Sequence, residues 1–230
     1  TRLGVVGVVL GGVSNTFLAG FVGGVFFGPG ALARQPDLLL RAEWIATHTL
    51  RWQAGWLFWF AVTLSFAWSY FALGRHLARK LPWAALAIGL AVIAAAVDLV
   101  GVLANMTVVP ELAPTVGSVS GSYEAVVFRA VEQLTNALVN VAAFGLYSVA
   151  GLLLLPAAAA TPDYPRWLVW LGSAEWGIAL MATGLLVLAP DLATGPLLIS
   201  FALYAPWVWA SARWLWRRDS AKDANPHTVG

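Results

Sequence analysis

Apolar residues occur along the chain in long runs that short polar segments separate. Runs such as Leu57–Leu73 and Ala84–Val97 approach the ~20 residues that a helix needs to cross a bilayer. They do not alternate apolar and polar residues over ~10-residue segments, as the strands of a membrane barrel would. Because a backbone in hydrocarbon must satisfy its own hydrogen bonds, these runs predict membrane-spanning helices.

The spacing of the runs predicts an all-α, polytopic transmembrane bundle of about six spans. Pro82 is placed to open the third span, and Ser122 is placed to cap the fourth. A helix that begins near Leu38 is expected to continue into the second span, and residues 107–122 are expected to form a polar loop. The predicted spans are 3–27, 52–74, 82–105, 125–155, 166–188 and 194–216, within a single domain of residues 1–218, followed by a loose tail, 219–230.

The positions of Lys and Arg predict the orientation, because cytoplasmic flanks of membrane helices are enriched in them. The side that holds both termini carries Arg2, Arg75, Arg79, Lys80, Arg166, Arg213, Arg217, Arg218 and Lys222. The other side carries Arg34, Arg41 and Arg51, with Arg129 near the interface. Both termini are therefore expected in the cytoplasm, and the short spans and loops indicate a bacterial inner membrane.

Composition agrees with this architecture and removes several functions. The chain of 230 residues is 60% hydrophobic and 10% charged, whereas soluble domains carry about 25% charged residues. Cysteine is absent, which excludes disulfides, iron–sulfur clusters and thiolate nucleophiles. A formal charge of +2 is too small to indicate nucleic acid, so the lipid bilayer is the expected partner.

Polar residues inside the predicted spans are functional candidates, because they are costly in hydrocarbon unless they are partnered. On the fourth span five of them fall within about 100° of the helix surface: Arg129, Glu132, Gln133, Asn136 and Asn140. Asp98 and Asn105 share a small-residue face of the third span, and Glu175 lies on a similar face of the fifth. We predict an outward-facing ligand or ion pocket between these three spans, with Arg41, His48 and Arg51 at its rim.

A structural role for the same residues is the competing hypothesis. Arg129 and Glu132 are three residues apart and can neutralise each other on one helix. Asn136 and Asn140 can hydrogen-bond neighbouring helices and hold the bundle together. Glu175 has no such partner on its own helix, so it is either protonated or paired across helices.

No motif in the sequence identifies an enzyme. The metalloprotease pattern H-E-x-x-H and the hydrolase pattern G-x-S-x-G are absent. The predicted second span separates His48 from His76, and His227 is in the tail, so two histidines of this chain cannot ligate one haem. Haem on His48 alone stays open, and no cofactor, metal site or catalytic residue is assigned.

Several short motifs resemble a known group of proteins. They are Phe26-Phe27-Gly28, Leu39-Leu40-Arg41, Phe144-Gly145-Leu146 and Pro165-Arg166-Trp167-Leu168-Val169-Trp170-Leu171-Gly172. Together they are similar to a family of uncharacterised bacterial six-span membrane proteins, known as a domain of unknown function. The resemblance implies the six-span architecture and brings no reaction or ligand.

We expect a non-enzymatic membrane protein, which is either an accessory subunit of a larger membrane complex or a binder of a small amphipathic ligand. The thirteen tryptophans favour contact surfaces, for a larger complex or for self-association. The alternative is a small proton-coupled carrier that uses Glu175, Glu132 or Asp98, since carboxylates at membrane depth serve proton relays.

Overall fold

The computed structural model describes residues 38–77, 81–117 and 122–224 of the chain, and these residues form helices with no strand among them. The helices are α1 (Leu38–Thr47), α2 (Thr49–His76), α3 (Pro82–Leu112), α4 (Tyr123–Ala159), α5 (Arg166–Leu188) and α6 (Pro190–Ala224). The first predicted span, 3–27, lies outside the described residues, as do residues 225–230 of the predicted tail.

Five helices, α2 to α6, are long and apolar enough to cross a membrane. They coincide with the second to sixth predicted spans, so the prediction of an all-helical bundle is confirmed for this part of the chain. The fifth span is reproduced at both ends, because Pro165 precedes the first turn of α5 and Pro190 follows its last turn by two residues. The last helix extends past the predicted end of its span to Ala224.

The expected continuous helix from Leu38 into the second span is wrong, because the chain bends at His48. This residue lies between α1 and α2 with φ −124° and ψ 33°. The hydroxyls of Thr47 and Thr49 donate to the carbonyls of Glu43 and Ile45 in the preceding turn. Such side-chain bonds compete with a regular helical backbone, and α1 folds over the end of α3 instead.

The expected polar loop after Asn105 is wrong over its first part, because α3 continues to Leu112 and a 3₁₀ turn follows over Ala113–Thr115. Pro110 lies inside this helix, and its missing N–H leaves the carbonyl of Met106 without its usual donor. The side-chain amide of Gln53 on α2 donates to that carbonyl at 3.0 Å. A contact between distant segments thus allows a proline that local sequence rules place in a loop.

Consecutive helices pack as neighbours, with the closest pairings between α2 and α3, α3 and α4, α4 and α5, and α5 and α6. Glycines permit close approach at three of these contacts: Gly101 of α3 lies against Val139, Gly151 of α4 against Trp176, and Gly172 of α5 against Trp207. Small residues at helix interfaces are the usual means of tight packing in membranes. The core of the bundle is an aromatic cluster formed by Phe66, Tyr70, Tyr147, Trp176, Tyr204 and Trp207.

The lengths of the helices place the polar residues of α4 relative to α5. By the rise of 1.5 Å per residue, the 23 residues of α5 extend about 33 Å, close to the ~30 Å hydrocarbon thickness. Gly145 of α4 contacts Thr183 of α5, and the two helices run in opposite directions. Asn140 is therefore level with Leu188, where α5 ends, and residues 123–139 extend beyond that level.

A second, smaller apolar cluster packs beyond the end of α5. It joins α1, the end of α3 and the start of α4, and consists of Ala42, Ile45, Trp52, Val109, Ala113 and Phe128.

The short link between α4 and α5, at the opposite end of the bundle, is held by Tyr164, whose hydroxyl is hydrogen-bonded to the Ser211 hydroxyl at 2.9 Å. Burial raises the pKa of Tyr164 to about 12, so this phenol stays protonated at neutral pH.

Candidate functional site

The structure distributes the residues of the predicted pocket over three places. Asp98 and Asn140 line one cavity, whereas Glu132 and Asn105 belong to a polar cluster closer to α1. Glu175 is buried separately among aromatic rings. The remaining members of the predicted stripe, Arg129, Gln133 and Asn136, are exposed.

Asp98 lies on an alanine-rich face of α3 that packs into the bundle, and it is 5% exposed. The hydroxyl of Thr63 on α2 donates to Asp98 Oδ2 at 2.7 Å. Trp59 interacts with the same carboxyl group, yet no described residue places a donor within hydrogen-bonding geometry of Oδ1. A buried carboxyl oxygen without a partner costs free energy, so this atom marks a candidate binding site.

The cavity beside Asp98 has a volume of about 110 Å³ and lies between α2, α3, α4 and α6. Asp98, Asn140, Tyr147 and the indole N–H of Trp59 contribute its polar groups, and five of the ten lining residues are aromatic. The aromatic lining residues are Trp59, Phe66, Phe144, Tyr147 and Phe201. A mostly apolar pocket with a few polar groups is the usual form of a small-molecule site.

The aromatic rings around the cavity are fixed by their packing against one another. Phe66 stacks on Tyr147 with ring centroids 5.1 Å apart, and Phe144 contacts Phe201 at 5.8 Å. The Tyr147 hydroxyl donates to the carbonyl of Thr63 at 3.5 Å, the residue whose side chain binds Asp98. The wall and the carboxyl group are therefore held by one connected set of contacts.

Two of the four residues by which α4 lines the cavity lie in a π-helical segment, Ala137–Ala143. Its wider turns present Val139 and Asn140 to the cavity, and the Asn140 amide also donates to the Asn136 side chain at 2.8 Å. Single π-helical turns within α-helices are frequent at functional sites. This segment was not predicted from the sequence.

Glu132 forms an ion pair with Arg41 of α1 at 2.5 Å, rather than the expected pair with Arg129 on its own helix. Both side chains are nearly buried, at 12% and 11% exposure. Thr135, one turn further along α4, donates to Asn105 Oδ1 at 3.5 Å. These residues lie beyond the level at which α5 ends, where they connect α1 with α3 and α4.

The other two residues predicted for the rim, His48 and Arg51, are exposed and gather around Trp44. The His48 ring stacks on Trp44 with centroids 4.9 Å apart, and the Arg51 guanidinium lies 6.0 Å from the Trp44 ring. His48 Nδ1 is also hydrogen-bonded to the Trp44 carbonyl at 3.0 Å. Neither residue lines the cavity beside Asp98.

Glu175 occupies the middle of α5 and is 1% exposed. Ser200 of α6 donates to its Oε1 at 3.4 Å, and Oε2 has no hydrogen-bond partner among the described residues. Tyr70 and Tyr204 lie close enough to interact with it electrostatically. Glu175 is not among the residues that line the cavity beside Asp98.

Sequence reasoning found Asp98 and Asn140 but missed the aromatic wall and Thr63. Aromatic residues are so frequent in this chain that no spacing distinguishes the five in the wall from those that face lipid. Thr63 lies in a largely apolar part of α2 that also contains Ser65 and Ser69, so its hydroxyl alone did not distinguish it. Among the described residues no three His, Asp or Glu side chains form a metal-binding group.

Comparison of the chain with protein-family models, with curated proteins and with solved structures finds no match. A function for this chain is therefore inferred from the geometry of the site.

Proposed function

We propose that this chain is a non-enzymatic membrane protein that binds a small organic cation in the cavity beside Asp98. We place it in the bacterial inner membrane with both termini in the cytoplasm, on the charge asymmetry of its helix ends. The cavity then belongs to the outer half of the bilayer, since its residue Asn140 is level with the outer end of α5.

One observation carries the proposal: Asp98 is buried, lines a cavity and has one carboxyl oxygen to which no described residue donates a hydrogen bond. A carboxylate in a medium of low dielectric attracts a positive charge far more strongly than it does in water. The ligand would supply the missing partner for Oδ1 while Thr63 keeps its bond to Oδ2. An anionic ligand would instead place two negative charges together.

The aromatic wall favours a cation for a second reason. Faces of aromatic rings attract cations within about 6 Å, by roughly 2 kcal/mol where the site is dry, and rings that surround quaternary ammonium groups are a recurring form of this recognition. Phe66, Phe144, Tyr147 and Phe201 line the cavity together with a single carboxyl group, so aromatic rings are available for such an interaction.

The volume of the cavity limits the size of the bound group. A dry cavity of about 150 Å³ accommodates benzene, so about 110 Å³ admits a group of roughly five heavy atoms. A trimethylammonium group has this size. An amphipathic ligand would therefore insert its cationic end and leave the remainder outside the cavity.

Binding of choline and of its neutral carbon analogue to the purified chain tests the proposal, with tryptophan fluorescence as the readout because Trp59 lines the cavity. We expect the wild-type protein to bind choline more tightly than the neutral analogue. Asp98→Asn should weaken choline binding at least about 30-fold, the effect of removing one partner of a buried charge pair. Equal affinity for both compounds, or unchanged binding by Asp98→Asn, would refute the cation site.

Glu175→Gln is the matched control, because it replaces the other buried carboxyl group of the bundle and leaves the cavity intact. Choline binding should be retained in this variant. The control also tests the second candidate function, a proton-coupled carrier. It is favoured by Glu175 Oε2, which has no hydrogen-bond partner among the described residues, because buried carboxyl groups serve proton relays. A carrier would show pH-dependent uptake into vesicles that both Asp98→Asn and Glu175→Gln abolish.

The accessory-subunit hypothesis stays a prediction that native purification tests. Stoichiometric co-purification with a larger complex in mild detergent would support it. A chain that purifies alone and still binds choline would favour the binding function.

A further inference from the structure

A groove of about 1030 Å³ lies between α5 and α6 at the end of the bundle where α5 begins. It is separate from the cavity beside Asp98 and shares no residue with it. Three arginines, Arg213, Arg217 and Arg218, line one part of the groove, and tryptophans and prolines line the rest.

The contact between Gly172 and Trp207 sets the depth of the groove. Because α5 and α6 are antiparallel, this contact places Arg213 level with Arg166 at the start of α5. Pro206 then lies about 10 Å deeper along α6, and Trp209 about 6 Å deeper. The charged part of the groove is therefore at the membrane surface, and its apolar part extends along the hydrocarbon.

Two of the three arginines are available to an anion. Arg213 and Arg217 are exposed, and neither has an ion pair within the part of the chain that the structure describes. Arg218 is already engaged, since it lies 3.7 Å from Asp163, donates to the carbonyl of His76 at 3.1 Å and stacks on Trp214. Asp163, the acidic residue of the groove, is thus compensated by Arg218.

We propose that this groove binds an anionic phospholipid. Its phosphate contacts Arg213 and Arg217, which lie one helical turn apart on the same side of α6, and one acyl chain follows Leu168, Trp209 and Pro206 toward the middle of the bundle. Basic pockets between membrane helices bind anionic lipid headgroups in this way. Trp167 and Trp209 are 56% and 41% exposed, and the amphipathic indole rings suit the headgroup boundary.

The apolar part of the groove, formed by Leu168, Trp209 and Pro206, distinguishes a lipid from a soluble anion. A free phosphate would contact the two arginines alone and would leave the apolar part uncovered. A phospholipid would fill both parts, because its headgroup would lie at the arginines and its acyl chain would extend from there along the apolar part.

Native mass spectrometry of the full chain in detergent tests the proposal by titration with phosphatidylglycerol and phosphatidylcholine of identical acyl chains. We expect the wild-type protein to prefer phosphatidylglycerol. The double variant Arg213→Gln/Arg217→Gln should weaken phosphatidylglycerol binding about 30-fold, since each arginine near the surface contributes about a factor of five. Phosphatidylcholine binding should stay unchanged.

The double variant Arg75→Gln/Arg166→Gln is the matched control, because it removes the same charge from exposed residues at the same end that do not line the groove. It should change phosphatidylglycerol affinity by about twofold or less. Equal binding of the two lipids, or equal losses in both double variants, would overturn the proposal. Competition by glycerol phosphate as strong as that of phosphatidylglycerol would show a soluble anion site instead and would also overturn it.

Discussion

Replacement of Gly151 by alanine is expected to destabilise the bundle at its closest helix contact. A methyl group at this position of α4 would lie 2.5 Å from Cγ of Trp176 and closer still to Cδ2 and Cε2. Non-bonded carbon atoms prefer about 3.5–4.0 Å, so either the indole ring or one of the two helices must move.

The surroundings of Trp176 prevent the ring from moving at low cost. It is fully buried, and its ring centroid is 5.7 Å from those of Tyr70, Tyr204 and Trp207. Overpacking of a well-filled core costs about 1–3 kcal/mol. For a chain of this size each kcal/mol corresponds to about 2–4 °C in melting temperature, so this steric cost should lower the melting temperature of Gly151→Ala by about 2–12 °C.

Gly177→Ala provides the matched control, because no atom lies within 4 Å of the added methyl group. Both substitutions gain the same helix propensity, up to about 1 kcal/mol, so their difference isolates the steric effect. Melting is measured in one detergent at one scan rate by intrinsic fluorescence, since thermal unfolding of such proteins depends on scan rate. If Gly151→Ala melts at the same temperature as Gly177→Ala, the close contact of α4 with Trp176 is wrong.

Three further substitutions test other contacts in the same melting assay. Glu132→Gln removes the nearly buried ion pair with Arg41 and should lower the free energy of unfolding by about 3 kcal/mol. A smaller loss when the same substitution is made in an Arg41→Gln background would confirm that the two side chains act as a pair. Gly101→Ala would place a methyl group 2.6 Å from Val139 Cγ2 and 3.2 Å from the Thr135 carbonyl oxygen. We expect it to lower the free energy of unfolding by about 1–3 kcal/mol. Its control, Gly89→Ala, has open space around the added methyl group and should be neutral or stabilising. Ser122→Ala removes the cap of α4, in which Ser122 Oγ accepts from the Ala125 N–H at 3.2 Å; it should cost about 1 kcal/mol, and Ser122→Thr should retain most of the stability.

The helices themselves follow from local sequence, because long apolar runs and helix-terminating residues are local signals. Pro82 opens α3 and Ser122 caps α4 as predicted. The prediction of a loop after Asn105 failed because a distant residue stabilises the backbone conformation there. The Met106 carbonyl is satisfied by Gln53, 53 positions earlier in the chain, and no local rule for Pro110 includes such a contact.

The candidate site was accessible to sequence reasoning only in part. Asp98 is conspicuous because a carboxyl group interrupts an alanine-rich helix face. Its surroundings come from three other helices, with Thr63 on α2, Phe144 on α4 and Phe201 on α6. Which aromatic ring reaches the carboxyl group depends on how these helices pack, and the spacing of residues along one helix does not contain that information.

The polar stripe of α4 shows why the depth of polar residues in the membrane is difficult to predict from the sequence of a long helix. Thirty-seven residues of helix extend about 54 Å, far more than the ~30 Å of hydrocarbon. The polar residues of α4 can therefore be interpreted in two ways, as a pocket inside the membrane or as the surface of a helix that projects from it. The register of α4 against α5 favours the second for Arg129, Gln133 and Asn136.

Asp98 and Glu175 are both buried, at 5% and 1% exposure, and they differ in what surrounds their carboxyl groups. Each has one oxygen without a hydrogen-bond donor in the described part of the chain. Tyr70 and Tyr204 lie close to Glu175, and Glu175 does not line the cavity beside Asp98. Asp98 adjoins that cavity, which can hold a ligand as the missing partner. A cavity and an unmet hydrogen-bonding capacity coincide at Asp98, which is why we propose the binding function there.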